Sequence, residues 1–269
     1  MTSKTEKSLL KDALAGILKP FSSKFALSWI YDSLFYAVLV LLFTQLLSLL
    51  TKQLIELQPL AQQAAASPEL AAQAASLMTQ LTWTAGISVI LLPLLALALY
   101  SLFKGLIWQM IVKNKAVKFG WKPFWKFFLL NLIWYVVSVP VFVAWLVLIF
   151  YIATLFEISW LAWIVLVLSI LLWLHLLITM HYSFAHSQKI GKSLASIFTV
   201  GFAKISGFVP IYAIAVVVFL AWSQVWRLVM KISANPKVQL ILFGALIVSP
   251  FAAWLRIYIA EGLKAIIKR

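Results

Sequence analysis

Stretches of 18 or more almost uninterrupted apolar residues recur along this chain, and they set what it can fold into. A helix of that length crosses the ~30 Å hydrocarbon core of a bilayer. The strands of a transmembrane barrel would instead alternate apolar and polar residues in roughly 10-residue pieces. The run VVSVPVFVAWLVLIFYI, Val136–Ile152, does not alternate. Of the 269 residues, 64% are hydrophobic and 11% charged, against about 45–50% and 25% in soluble domains. No soluble core of this size hides that excess. The expected fold is all-α: a polytopic membrane protein, one membrane domain over 1–269, with six transmembrane helices.

The six spans read as Leu27–Leu50, Leu81–Val112, Phe127–Ile152, Trp160–Tyr182, Gly207–Val229 and Val238–Ala260. Only ATLFEIS separates the third from the fourth, which makes them a tight hairpin. Lys and Arg in short flanking segments orient such spans, because they stay on the cytoplasmic side. Counted along the alternating connections, 18 of the 22 Lys and Arg fall on one side. Lys52, Arg227, Lys231 and Lys237 are the exceptions. Both termini are therefore expected in the cytoplasm. The net charge of +15 flanks apolar spans, as anionic lipid head groups favour; it does not form the phosphate-neutralising patch of a nucleic-acid binder. The first span is too long for the h-region of a signal peptide, and polar residues separate it from Ala64–Ala66. It is expected to stay as an anchor.

One thirteen-residue frame occurs twice, as KSLLKDALAGILK from Lys7 and as KSLASIFTVGFAK from Lys192. Lys7, Ser8, Leu9, Gly16 and Lys19 match Lys192, Ser193, Leu194, Gly201 and Lys204. As helices, both are amphipathic by the i, i+3, i+4 rule. In the first, Lys7, Lys11 and Lys19 face away from Leu10, Leu14 and Ile17. In the second, Leu194, Ile197, Phe198 and Phe202 gather opposite Lys192, Ser196 and Thr199. Both are too short and too polar to span, so they are expected to lie along the interface. A divergent third copy, KNKAVKFGWKPFWKF, carries Trp121, Lys122 and Trp125 at head-group level. Interfacial lipid contacts are thus expected at Lys7, Lys11, Lys19, Trp121, Lys122, Trp125, Lys192 and Lys204. The chain then reads as three units, each an interfacial helix followed by a helical hairpin; the first such segment is cytoplasmic, 1–25.

The connection 51–80 is long, rich in Ala and Gln, and expected outside the cytoplasm. Ser67–Pro68–Glu69 within it is a helix start, with Ser as cap and Pro in the first turn. The first two spans should therefore continue as helices that meet near Pro59–Ser67. Pro93 and Pro140 lie inside spans and should kink them.

Asp32 is the sharpest polar candidate, about 7–8 Å inside the first span when counted from Leu27. Arg256, Lys104 and His181 fall in the same layer. A cluster of Asp32 with Arg256 or Lys104 serves as a structural ion pair or as part of a substrate pathway; Lys104 and Arg256 can also snorkel. The spacings of His175, His181 and His186 do not suit one metal ion, since ligands on one helix face come at i, i+3 or i+4. The chain has no cysteine and seven acids, and no HExxH, GxSxG or phosphate-binding loop. No catalytic set, cofactor or metal site is expected.

The segments KIGKSLASIFTVGFAKISGFVP and WLRIYIAEGLKAI resemble features of a loose group of six-span membrane proteins. That group is similar to the membrane domain attached to some bacterial glycerophosphodiester phosphodiesterases. The resemblance implies a six-helix fold and no defined activity; the phosphodiesterase domain is not in this sequence, so no catalysis carries over. The Ala/Gln-rich connection departs from the group. The expected role is a non-enzymatic scaffold or accessory subunit of a membrane complex, in contact with anionic lipids and other membrane proteins. The alternative is a small permease-like transporter with a polar, cytoplasm-facing cavity near Asp32 and Arg256. Nucleic acid is not an expected partner.

Overall fold

In lipid the backbone must satisfy its own hydrogen bonds, so an apolar run this long closes into helix. The computed structural model describes residues 23–65, 67–113, 120–229 and 235–267, and no strand occurs among them. The helices are α1 (Ser23–Gln63), α2 (Pro68–Lys113), α3 (Trp121–Leu155), α4 (Ser159–Ser187), α5 (Ile190–Ser196), α6 (Val209–Val229), α7 (Pro236–Phe243) and α8 (Ser249–Ile267). A π-helical turn, Ile197–Phe202, continues α5, and a 3-10 turn, Ile205–Phe208, leads into α6. A second π turn, Gly244–Val248, joins α7 to α8 as one rod. Among the described residues six stretches are long and apolar enough to cross a bilayer, the last formed by α7 and α8 together. The all-α, six-span class is therefore the observed one.

The helices exceed the apolar spans because helix formation and hydropathy have different limits. Hydropathy falls at Thr51, but the Ala, Gln, Leu and Glu that follow are good helix formers, and α1 runs on through Pro59 to Gln63. Ser67 then starts α2: its Oγ accepts the Glu69 N–H at 3.2 Å and its carbonyl the Ala71 N–H at 3.0 Å. Pro93 and Pro140 lie within α2 and α3 without ending either helix. The α3–α4 hairpin turns through Glu157 at φ 55°, where the Ile158 N–H closes on the Ala153 carbonyl at 2.9 Å.

Packing is concentrated at one end of the bundle. Trp108 on α2, Phe127 and Leu130 on α3, Met180 and Phe184 on α4, and Ile259 and Leu263 on α8 are fully buried there. At the other end Val89, Val147, Trp160 and Val217 are open. Lipid chains are as apolar as leucine, so burial alone does not drive those outer halves together; α3 and α4 meet there through the small cluster Ile149, Ala153 and Ala162 and the Trp145–Ser169 hydrogen bond.

Both π turns leave backbone carbonyls that other helices must satisfy. Trp29 Nε1–H donates to the Ala245 carbonyl at 2.7 Å and Trp222 Nε1–H to that of Ile247 at 3.2 Å. His175 Nε2–H donates to the Gly201 carbonyl at 3.0 Å. Tyr36 OH adds a bond to the Leu240 carbonyl at 3.0 Å, which fixes α1 against the α7–α8 rod.

The second lysine-flanked frame is helical but lies differently from its sequence pattern. Ser193, Ser196, Ile197 and Gly201 face the core, whereas Phe198, 67% exposed, stacks with Phe202 on the outside. Ser196 therefore sits inward, not on an outer polar face with Lys192 and Thr199. The serines can turn inward because Ser193 Oγ donates to the Lys189 carbonyl at 2.8 Å and Ser196 Oγ to that of Ser193 at 2.6 Å. Their hydroxyls are satisfied within the turn, and small side chains permit close approach to α4. The first frame, with Lys7, Lys11 and Lys19, lies outside the described residues, as do residues 114–119 of the third.

Gly244 lies where α1 meets the π turn, and a Cβ there would land on the Tyr36 ring. Gly244→Val is expected to lower stability by about 1–3 kcal/mol, as overpacking does. Gly86→Val, where a Cβ meets nothing within 4 Å, should be nearly silent. Thermal unfolding of the two variants in one detergent checks the contrast.

Candidate functional site

Asp32 is the one acid deep in a span, and α1 presents it on the same face as Ser28, four residues earlier. Both are buried, Asp32 to 3% exposure. α2 brings Lys104 to Asp32 Oδ1, and α8 brings Arg256 to Oδ2. Arg256 Nη2 also lies 3.5 Å from Ser28 Oγ. Asp32 is thus engaged by both cations at once, where the sequence left a choice of one or the other. The carboxylate ties the first, second and last membrane helices together at a single point.

The triad holds two cations and one anion, which leaves a surplus positive charge where charge is costly. Aromatic rings offset part of that cost: Lys104 Nζ lies 5.2 Å from the centroid of Phe35 and 5.8 Å from that of Tyr100. A cation over such faces gains roughly 0.5–2 kcal/mol. The two rings meet edge to face at 5.9 Å, so the aromatic wall is itself braced.

His181 occupies the same layer but a neighbouring network. Asn131 Nδ2 donates to Ser101 Oγ at 3.0 Å, so Asn131 Oδ1 is left to accept from His181 Nε2–H at 2.7 Å. Tyr100 joins the two networks, its ring centroid 6.0 Å from that of His181. Ser101 and Asn131 were not among the residues singled out from sequence. Asn131 could have been found as the single amide in the run FFLLNLIWYV, and Ser101 as the small polar residue one turn before Lys104.

The other histidines go elsewhere. His175 uses both ring nitrogens: Nε2–H on the Gly201 carbonyl and Nδ1 toward Tyr212 OH at 2.9 Å. As a neutral ring it has no lone pair left for a metal. His186, exposed at the end of α4, stacks edge to face on Tyr182. Among the described residues no three His, Asp or Glu side chains converge on a point a metal ion could occupy.

Of the lysines and tryptophans expected at head-group level, Trp121 is 73% exposed and packs at 5.6 Å on Phe124 and at 5.2 Å on Trp125. Lys122 beside it and Lys192 on α5 are exposed, and Lys204, half-buried, closes the turn after the elbow. These positions share the packed end of the bundle with the polar layer.

No protein family, no curated protein and no solved structure matches this chain. What the site does must therefore come from its own geometry. Nothing in the triad resembles a nucleophile with its base; its chemistry is mutual charge compensation. Removing one partner of a buried ion cluster typically costs 3–5 kcal/mol. Asp32→Asn, which leaves Lys104 and Arg256 facing each other, is expected to destabilise by roughly that amount. Adding Lys104→Met should restore part of the loss, because one of the stranded charges is gone. Denaturation midpoints of the wild type, the two single variants and the double variant provide the check.

Proposed function

We propose that the chain is a non-enzymatic membrane subunit, a scaffold or accessory component that docks another membrane protein through the α1–α2 hairpin and seats its elbows on lipid. The observation that carries this is the reach of that hairpin. From the level of Asp32, α1 runs on for about 46 Å and α2 for about 54 Å at 1.5 Å per residue. From the same polar layer the α3–α4 hairpin extends only about 33–36 Å and the α7–α8 rod about 30 Å. The first hairpin therefore outreaches its neighbours by on the order of 10–20 Å. Its outer part exposes Leu54, Ile55 and Met78 among Ala, Gln and the exposed Lys52–Glu56 pair. That composition suits contact with protein outside the hydrocarbon and offers no chemistry.

The state of Asp32 supports the same reading over a permease. Both of its carboxylate oxygens are taken by cations of its own chain, so a transported cation would first have to displace them. The surplus charge of the triad is the observation on the other side, since it would suit an anionic substrate. Orientation with both termini in the cytoplasm follows from the lysine distribution and belongs to this proposal.

Photo-crosslinking groups at Ile55 and Met78, with Val141 as a lipid-facing comparison, test the assignment in native membranes. The expected result is a discrete protein adduct from the hairpin positions and only lipid adducts from Val141. Lipid adducts at all three positions, with solute flux in liposomes that Asp32→Asn abolishes, would favour the permease.

A further inference from the structure

A concavity of about 490 Å³ opens between α4, the elbow and α8 at the packed end of the bundle. Thr179, Tyr182, Ser183 and His186 line it from α4, spaced so that they share one helix face. Ser196 and Val200 close the second side, and Leu263, Lys264 and Ile267 the third. A similar volume between α3 and α4 is lined by aliphatic and aromatic side chains and by Ser138 and Ser169, whose hydroxyls accept from Trp173 and Trp145, with no charged residue. The α4–elbow–α8 cavity differs in having a cation, Lys264, at its rim.

Thr179, 2% exposed, marks its deep end. From there to His186 at the rim, α4 advances about 10 Å, and over that depth Val200 and Leu263 supply an apolar wall. At the rim Lys264 Nζ lies 2.6 Å from Glu261 Oε1, and both side chains are about two-fifths exposed. A pair that open to solvent contributes little to stability, and the ammonium has donors to spare. Its neighbour Glu261 repels a multiply charged anion but accepts from a cation. A head group carrying one charge of each sign therefore matches the rim, and one acyl chain matches the cavity behind it. The volume falls within the roughly 300–1,000 Å³ of small-molecule sites.

We propose that this cavity is a site for a zwitterionic phospholipid with a primary ammonium head, its phosphate at Lys264, its ammonium at Glu261 and one acyl chain in the cavity. This deepens only the lipid-contact part of the proposed function. It concerns the isolated chain, so it stands or fails independently of any protein partner.

Native mass spectrometry of the delipidated full chain tests it with three probes. These are phosphatidylethanolamine, diacylglycerol with the same chains, and free phosphoethanolamine. The expected result is a saturable phosphatidylethanolamine adduct at least ten-fold tighter than that of diacylglycerol, and none with phosphoethanolamine. Val200→Trp, which fills the cavity, and Ile267→Trp, which narrows its rim at an exposed position, should each weaken the adduct about ten-fold. Lys264→Gln should abolish the preference over diacylglycerol. Diacylglycerol binding as tightly as the phospholipid would reduce the cavity to a slot for any acyl chain and overturn the proposal. So would phosphoethanolamine binding alone, or an adduct that a folded Ile267→Trp variant leaves unchanged.

Discussion

One carboxylate, buried in the apolar part of the first membrane helix, organises the packed end of this protein. In water an ion pair is weak because both partners are already solvated. In lipid that alternative is lost, and an acid without a counter-charge is excluded by its own desolvation cost. Asp32 therefore requires Lys104 and Arg256, and they require it. Because the three residues come from α1, α2 and α8, the requirement fixes how the two ends of the chain meet. Hydrophobic burial cannot set that arrangement, since lipid covers leucine as well as protein does. The half of the bundle that contains the triad is packed, and the half that lacks such charges is largely exposed apart from a small cluster between α3 and α4.

The same economy explains the indole and imidazole donors. Each π turn widens the helix and frees carbonyls from its own hydrogen-bond ladder. Trp29, Trp222 and His175 supply N–H groups to those carbonyls from neighbouring helices. A local irregularity of backbone is thereby converted into a specific contact between helices. At the elbow the result is a turn that lies on α4 through serine and glycine while its phenylalanines face outward. That arrangement also leaves the hydroxyl-lined cavity beneath it.

The fold class was legible in the sequence because the bilayer imposes one rule on long apolar runs, and six of them obey it. Much of the polar layer was legible for the same reason: Asp32, Lys104 and Arg256 are conspicuous where charge is rare. That both cations share Asp32 was not legible, since the choice depends on how α1, α2 and α8 cross. Ser101 and Asn131 were missed because neutral polar residues are common in membrane helices, and only the geometry joins them to His181. The face of the elbow was misjudged at Ser196, which belongs to the α-helical turn before the π turn. Its hydroxyl is satisfied by the Ser193 carbonyl, so a residue that spacing alone counts as polar packs inward.

The most direct test is the shared carboxylate itself, measured in a bilayer. Solid-state NMR on the reconstituted protein, with 13C in the Asp32 carboxyl and 15N in the lysine and arginine side chains, reports the separation. Both cationic nitrogens should lie within about 4 Å of the carboxyl oxygens, as contact ion pairs do. If either one dephases as though it stood several ångströms farther away, the first and last membrane helices are not joined through Asp32.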